Sequence, residues 1–256
     1  MKTLFLAWQD GQSAAGRRAA TRAWFPIGRL DAEPEQHLYR FAYTRGALNA
    51  REEAGFQPLD AFPRFEQVYE SAELFPLFQN RVISEKREDY PEYVARLGLL
   101  PGLADPFEIM AISGGKRQTD NLEVFPKIQK RRDGSFACRF FLHGWRHVNA
   151  VSQERLAKLR PGDSLQVSLE LNNPATGAAI QLQTANDYFM IGWAPRYLAG
   201  DMLDAIAKAP DVLTAQVVRV NPPPAPHNQR VLIQLDGRFG EDFEPMSTEE
   251  FRAVGE

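Results

Sequence analysis

The sequence predicts an α+β protein with two domains. These are a mixed strand and helix domain over residues 1–133, and a small β-barrel with two decorating helices over residues 134–256. Three observations lead to this fold class. The chain has 256 residues, which at about 150 residues per domain allows one large or two small domains. Apolar residues recur at helical spacing in parts of the first half, whereas the second half is dense in short β-rich runs between turns.

The strand signals of the first half lie at its beginning. Residues 4–8 form a short apolar strand candidate. Residues 24–30 and 38–43 alternate apolar and polar side chains on either side of a turn at residues 31–35. This alternation predicts a β-hairpin.

Helix signals follow in the rest of the first half. Apolar side chains at helical spacing predict a helix over residues 73–82, and a proline in the first turn favours another over 90–97. A third helix is predicted to begin with Asp105 as N-cap and Pro106 at the first helical position. The glycine pair that starts at Gly114 is expected to end it.

The second half contains more strands than helices. Ser152 is predicted to cap a short helix over residues 152–158, and apolar spacing predicts a second helix over residues 195–209. Short runs rich in β-branched and aromatic residues predict six strands, at residues 136–143, 164–171, 179–183, 189–193, 215–220 and 230–235.

A basic run, KIQKRRDG at residues 127–134, separates the two halves. Its charge is typical of a solvated linker, whereas its final Asp-Gly is typical of a hairpin turn that would join residues 122–128 to 135–142. Both interpretations place the domain boundary near Asp133.

Composition excludes several classes of protein. The net charge of −3 gives no global positive field, so any binding of nucleic acid must depend on a local patch. The single cysteine permits no internal disulfide, and no apolar run approaches the ~20 residues that a membrane helix needs. The first ten residues lack the pattern of a signal peptide, so we expect a cytoplasmic protein without membrane contact.

Four motifs in the second half occur in an order that resembles a HIRAN domain, over roughly residues 136–245. They are FLHGWRH at 141–147, LRPGDSL at 159–165, NNP at 172–174 with the Ala-Ile pair at 179–180, and IGWAPRYLA at 191–199. The resemblance implies a barrel-like module that binds single-stranded DNA, in the best-studied case by the 3′ end. It therefore implies a DNA-binding protein rather than a catalyst.

The sequence departs from the HIRAN pattern directly after the Asn-Pro motif. The family usually has an aromatic residue and then an aspartate there, which stack on the terminal base and hold the terminal hydroxyl. Here these positions are Ala175 and Thr176. We therefore expect binding of single strands with weak recognition of the 3′ end.

Seven residues of the second half are candidates for contact with DNA. Arg146 can pair with a phosphate and His147 can stack on a base, although both could be solvated surface residues. Trp193, Arg196 and Tyr197 combine aromatic faces with a cation, although strand alternation could bury Trp193 in the core. The remaining candidates are the amides of Asn172 and Asn173, which could contact a nucleotide or only shape a turn.

The first half resembles the N-terminal subdomain of HipA-type toxin kinases. The motifs are IGRL at 27–30, YRFAY at 39–43, QPL at 57–59, LFPLFQNR at 74–81 and DPFEIM at 105–110. The kinase lobe, with its glycine-rich loop and catalytic and metal-binding aspartates, has no counterpart in the sequence. The resemblance therefore implies a domain that contacts another protein, with no kinase activity.

No motif predicts catalysis, a metal or a cofactor. Cys138, His143 and His147 have a spacing close to that of metal ligands, but a fourth ligand is missing, and strand alternation would place Cys138 and His143 on opposite faces. We therefore expect a bacterial non-enzymatic protein that holds single-stranded DNA with its second half. The rival hypothesis is a regulatory or scaffold subunit of a toxin–antitoxin or phage-defence system, which would bind protein rather than DNA.

Overall fold

The computed structural model describes residues 1–11 and 23–255 and divides into two compact units. The N unit comprises residues 1–91, 102–127 and those from Met246 onwards. The C unit comprises residues 92–101 and 128–245. The sequence-based limits of 1–133 and 134–256 differ from these units mainly at two short segments, residues 92–101 and those after 245.

Five strands of the N unit pair into one antiparallel sheet. They are β1 (Lys2–Gln9), β2 (Trp24–Glu33), β3 (Leu38–Tyr43), β4 (Tyr69–Ser71) and β5 (Leu122–Pro126). Their order across the sheet is β4-β3-β2-β1-β5. The strands predicted at 4–8, 24–30 and 38–43 are confirmed, and β2 and β3 form the predicted hairpin.

The helices in the first half of the chain are α1 (Arg45–Ala54), α2 (Pro76–Gln79), α3 (Tyr90–Arg96) and α4 (Pro106–Ser113). The predicted cap of α4 is confirmed, because Asp105 Oδ1 accepts a hydrogen bond of 2.9 Å from the Glu108 backbone N–H. The helix ends at Gly114, whose φ of 75° is left-handed. The helix predicted over residues 73–82 is shortened to α2, because Phe75 precedes a proline and is extended.

Aromatic side chains fill the core of the N unit. The rings of Phe41 and Phe62 stack with their centroids 4.0 Å apart, and Tyr43 packs edge-on against Phe41. The Tyr43 hydroxyl donates to the Phe62 carbonyl and accepts from the Leu59 N–H, each at 2.7 Å. Burial raises the pKa of Tyr43 to about 12, so the hydroxyl keeps its proton and ties the loop before Phe62 to the sheet.

The C unit contains a second antiparallel sheet of six strands. They are β6 (Ser135–Phe141), β7 (Ser164–Asn173), β8 (Gly177–Thr184), β9 (Met190–Trp193), β10 (Thr214–Val220) and β11 (Val231–Arg238). Their order is β6-β11-β10-β7-β8-β9, so the six predicted strands are confirmed. Among the described residues, the strand ladder does not close into a complete barrel. One bridge joins its two ends, with hydrogen bonds of 2.9 and 3.0 Å between the backbones of His143 and Trp193.

Two helices accompany this sheet, as predicted: α5 (Ala150–Leu156) and α6 (Ala199–Lys208). The prediction that Ser152 caps the first helix is wrong. The cap is Asn149, whose Oδ1 accepts a hydrogen bond of 2.9 Å from the Ser152 N–H, because the helix begins one turn earlier. None of the described helices is long and apolar enough to cross a membrane.

The basic run between the halves does not form a hairpin turn. Strand β5 pairs with β1, whereas β6 pairs with β11, so the hairpin interpretation of residues 122–142 is wrong. The run is not fully solvated either. The Lys130 ammonium donates to the backbone carbonyls of Gly240, Glu241 and Phe243 at 2.9, 2.5 and 2.8 Å.

We predict that Tyr43→Phe destabilises the N unit by about 1–3 kcal/mol, because it leaves the Phe62 carbonyl and the Leu59 N–H without this partner. Chemical denaturation, followed by tryptophan fluorescence, measures the change in unfolding free energy. Tyr39→Phe is the matched control, because Tyr39 is only partly buried, and we expect it to cost less than about 0.5 kcal/mol. Equal losses for the two variants would contradict the role given to the Tyr43 hydroxyl.

Candidate nucleic-acid interface

The ring of Trp193 lies over the backbone of Gly144. A Cβ atom at position 144 would stand 2.3 Å from Trp193 Cε3, so the close approach requires glycine. Gly144 also has a left-handed φ of 67°. On the other side of the bridge, a Cβ at Gly192 would stand 2.5 Å from the His143 carbonyl oxygen. Two glycines thus allow the indole and the two ends of the sheet to meet.

Glu170 on β7 holds the polar edge of this indole. Its Oε2 accepts hydrogen bonds of 2.6 Å from Trp193 Nε1 and of 2.9 Å from Asn173 Nδ2. Desolvation by burial acts to raise the pKa of Glu170, but the hydrogen bonds from Trp193, Asn173 and Gln181 outweigh it and hold the pKa below its usual range. An ionised carboxylate therefore fixes two of the sequence-predicted residues.

The loop between β7 and β8 is shaped by Asn173. Its Oδ1 accepts hydrogen bonds from the backbone N–H groups of Ala175 (2.9 Å) and Thr176 (3.2 Å) and from the Thr176 hydroxyl (3.1 Å). Asn173 therefore has the turn role, with its amide engaged on both sides. Asn172 is exposed, with a left-handed φ of 63°.

Arg146 and His147 lie two and three residues after Gly144, the glycine beneath the indole. They belong to a short 3₁₀ helix, Trp145–His147, and both side chains are exposed. The 3₁₀ helix packs against β9. A cationic and an imidazole side chain thus lie in solvent beside the Trp193 strand.

Trp145 was not singled out as a site residue by the sequence analysis, although it lies inside one of the quoted motifs. Its Nε1 donates to the His227 carbonyl at 2.9 Å, and the centroids of the Trp145 and His227 rings are 5.7 Å apart. The guanidinium carbon of Arg230 lies 5.7 Å from the Trp145 ring centroid, within the range of a cation–π contact. Trp145 therefore links the segment of Arg146 to a second cation, through the loop that follows β10.

Arg196 and Tyr197 lie on a 3₁₀ helix, Arg196–Leu198, directly after β9. Both are partly buried and make contacts within the protein. The structure thus gathers Trp193, Asn173 and the Arg146 segment around Glu170 and Gly144. Arg196 and Tyr197 are connected to this cluster by the chain that leaves Trp193.

Two further observations concern metal ligands and the single thiol of the described residues. The described part of the chain contains no group of three or more His, Cys, Asp or Glu side chains that could hold a metal ion. Desolvation by burial, with smaller contributions from Asp236 and Asp201, raises the pKa of the Cys138 thiol to about 12. The thiol is therefore protonated at neutral pH.

Comparison with known protein families gives a match for part of the second half of the chain. A HIRAN domain model matches residues 135–236, which lie in the C unit and include all seven candidate residues. No curated protein and no solved structure matches the chain. The resemblance of the first half to HipA-type kinases is therefore not supported by any comparison.

We predict that Glu170→Ala lowers the unfolding free energy by about 1–2 kcal/mol at neutral pH, a value reduced by the partial exposure of the site. The pKa of Glu170 is lowered in the folded protein, so its contribution is present above the unfolded-state pKa and is lost as the pH falls through the folded-state pKa. Denaturation curves at pH about 7 and about 3 should show that the difference between wild type and variant shrinks in acid. A difference that does not change with pH would mean that the carboxylate charge contributes nothing.

Proposed function

We propose that the C unit, with its HIRAN domain match, binds single-stranded DNA and that the protein is not an enzyme. The observation that carries the proposal is the placement of Trp193 on Gly144, two residues before the exposed Arg146 and three before the exposed His147. Single-strand binding combines aromatic faces for the bases with cations for the phosphates. This cluster contains both, because the 3₁₀ helix of Arg146 packs against the strand of Trp193.

We further propose that the C unit functions as a partly open barrel whose seam is the His143–Trp193 bridge. Trp193 is itself the bridging residue, so the seam and the candidate interface coincide. A DNA strand held at the seam would contact Trp193, Arg146 and His147 from one side and Asn172, near the end of β7, from the other. Arg196 and Tyr197 follow Trp193 and extend the same surface.

The N unit is assigned to contact with another protein. It contains a cavity of about 550 Å³ whose lining includes the apolar side chains of Leu74 and Phe107 and the carboxylates of Glu33 and Glu35. A cavity of this size is large enough for a side chain of a partner. If the C unit binds no DNA, the protein would be a regulatory or scaffold subunit that binds another protein through its N unit.

Binding to a fluorescent single-stranded oligonucleotide, measured by anisotropy, tests the proposal. Two phosphate contacts, by Arg146 and Arg196, predict a slope of log affinity against log salt concentration near −1.4, at about −0.7 per contact for single strands. We expect Arg196→Ala to weaken binding because it removes one of these contacts. Absence of binding at about 50 mM salt would overturn the proposal.

Arg155→Ala is the matched control for Arg196→Ala. Arg155 lies in the same unit but on α5, outside the motifs quoted above, where it pairs with Asp187 at 2.6 Å and stacks over the Phe189 ring at 5.0 Å. Arg196, by contrast, follows Trp193 along the chain. We therefore expect Arg155→Ala to change the dissociation constant less than Arg196→Ala does at the same ionic strength. Equal losses would indicate diffuse electrostatic attraction rather than a defined interface.

We predict weak discrimination between a 3′ hydroxyl and a 3′ phosphate. Ala175 has no aromatic ring, and the Thr176 hydroxyl already contacts Asn173 Oδ1. A charge-assisted hydrogen bond contributes about 1.5–3 kcal/mol, or roughly 10- to 150-fold in affinity, so its absence should be measurable. The experiment compares oligonucleotides that differ only at the 3′ terminus.

The double substitution Ala175→Tyr with Thr176→Asp should increase the preference for the 3′ hydroxyl. If the wild type already prefers the hydroxyl strongly, other residues recognise the terminus and the assignment to positions 175 and 176 is wrong.

A further inference from the structure

Strand β7 has one edge that is paired only at its beginning. On one side it pairs with β8 from Leu165 to Asn173. On the other side it pairs with β10 only through Ser164 and Leu165. Within the described part of the chain, no strand covers this second edge over residues 166–173.

The apolar face of β7 becomes more exposed along this free edge. Alternate residues of a strand share one face. On this face the exposed fraction is 6% for Leu165, 37% for Leu169 and 67% for Leu171. The rise has a simple cause, since β10 stops pairing with β7 after Leu165. Opposite Leu169 on β8 lies Ile180, which is only 1% exposed. The face of β7 that belongs to the core at Leu165 is therefore exposed to solvent at Leu169 and Leu171.

Over residues 166–171 the free edge lacks the usual protection against pairing with another chain, since the bulge of β7 at Asn172 lies beyond this stretch. Natural edge strands are commonly blocked by lysine, proline or an inward-pointing charge. Residues 166–173 include no lysine and no proline. Their single charge is Glu170, whose carboxylate is bonded to Trp193 and Asn173 within the same sheet.

We propose that β7 pairs antiparallel with β7 of a second copy of this chain, about a two-fold axis at Leu169. In this register Leu169 lies opposite its own copy, Val167 lies opposite Leu171, and Ser168 lies opposite Glu170. Apolar residues therefore meet apolar residues, and no two like charges meet. Such an interface is isologous, so the assembly is complete with two copies. Both β7 edges are then covered, and the chains do not polymerise.

A second copy fits this edge better than an unrelated extended peptide. In this register each apolar residue of β7 faces an apolar residue of the second copy. The pairing also buries Leu169 and Leu171 of both copies at the same interface. The interface is small, so we expect a micromolar rather than a nanomolar dissociation constant.

Sedimentation velocity of the full chain without DNA, over about 1–300 µM, tests the dimer, because this range spans a micromolar constant. We expect the sedimentation coefficient to rise with concentration from monomer to dimer and to rise no further. A wild-type protein that remains monomeric at the highest concentration overturns the proposal.

Charge substitutions at the two-fold axis test the register. Leu169→Glu and Leu169→Arg each place like charges opposite each other, so each variant alone should be monomeric. An equimolar mixture should regain the dimer, because glutamate then meets arginine. A mixture that stays monomeric would overturn the two-fold axis at Leu169, and a variant that still dimerises would overturn the β7 edge as the interface.

Two further variants control for folding and for general loss of surface leucine. Leu203→Glu changes a leucine of α6 in the same unit whose exposure, 39%, is close to the 37% of Leu169, and it should leave the dimer intact. Leu171→Lys alters the most exposed leucine of β7 and should abolish the dimer with an unchanged circular dichroism spectrum. Dimerisation of Leu171→Lys with the wild-type constant would overturn the proposal.

Discussion

The C unit depends on the contact at which the two ends of its sheet meet. His143 and Trp193 exchange two backbone hydrogen bonds there, and the indole of Trp193 covers Gly144. Any side chain at position 144 would collide with the ring, and any side chain at Gly192 would collide with the His143 carbonyl. The absence of two Cβ atoms therefore decides how closely β6 and β9 approach. The exposed Arg146 and His147 take their position from the same turn.

Glu170 connects this seam to the loop after β7. The carboxylate accepts from Trp193 and from Asn173, and Asn173 in turn organises the turn through Ala175 and Thr176. A charged acceptor shared between a ring and a loop makes their positions interdependent. The same arrangement places the negative charge of Glu170 beside the surface proposed for DNA. The bonds that lower its pKa also occupy one of its oxygen atoms.

The two units are organised by different physical interactions. In the N unit, stacked and edge-on aromatic rings around Phe41 fill the core, and the Tyr43 hydroxyl fixes one loop by two hydrogen bonds. In the C unit, the candidate interface is held by close backbone approach and by a carboxylate. Among the described residues, the outer half of β7 has an unpaired edge and exposed leucines, because β10 begins at Thr214 and pairs only with Ser164 and Leu165.

Short-range patterns in the sequence determined most of the elements. The cap of Asp105 with Pro106, the hairpin of β2 and β3 and the six strands of the C unit each depend on residues a few positions apart, and each was predicted correctly. Helix α1 was missed, because Thr44 makes no side-chain cap and Gly46 lies in its first turn. The ordered motifs of the second half also indicated the resemblance to a HIRAN domain, whose family model matches residues 135–236.

Only the tertiary structure decided which of these elements meet. Glu170 and Trp193 are 23 residues apart, and Trp145 and His227 are 82 apart, and in both cases strand pairing and loop paths bring them into contact. The separation of β5 from β6, which excluded a hairpin, depends equally on their distant partners β1 and β11. A local pattern specifies the periodicity of a strand but does not determine which other strand it pairs with. The register between distant strands is fixed by burial of the whole sheet, and that register placed a carboxylate at the centre of the candidate site.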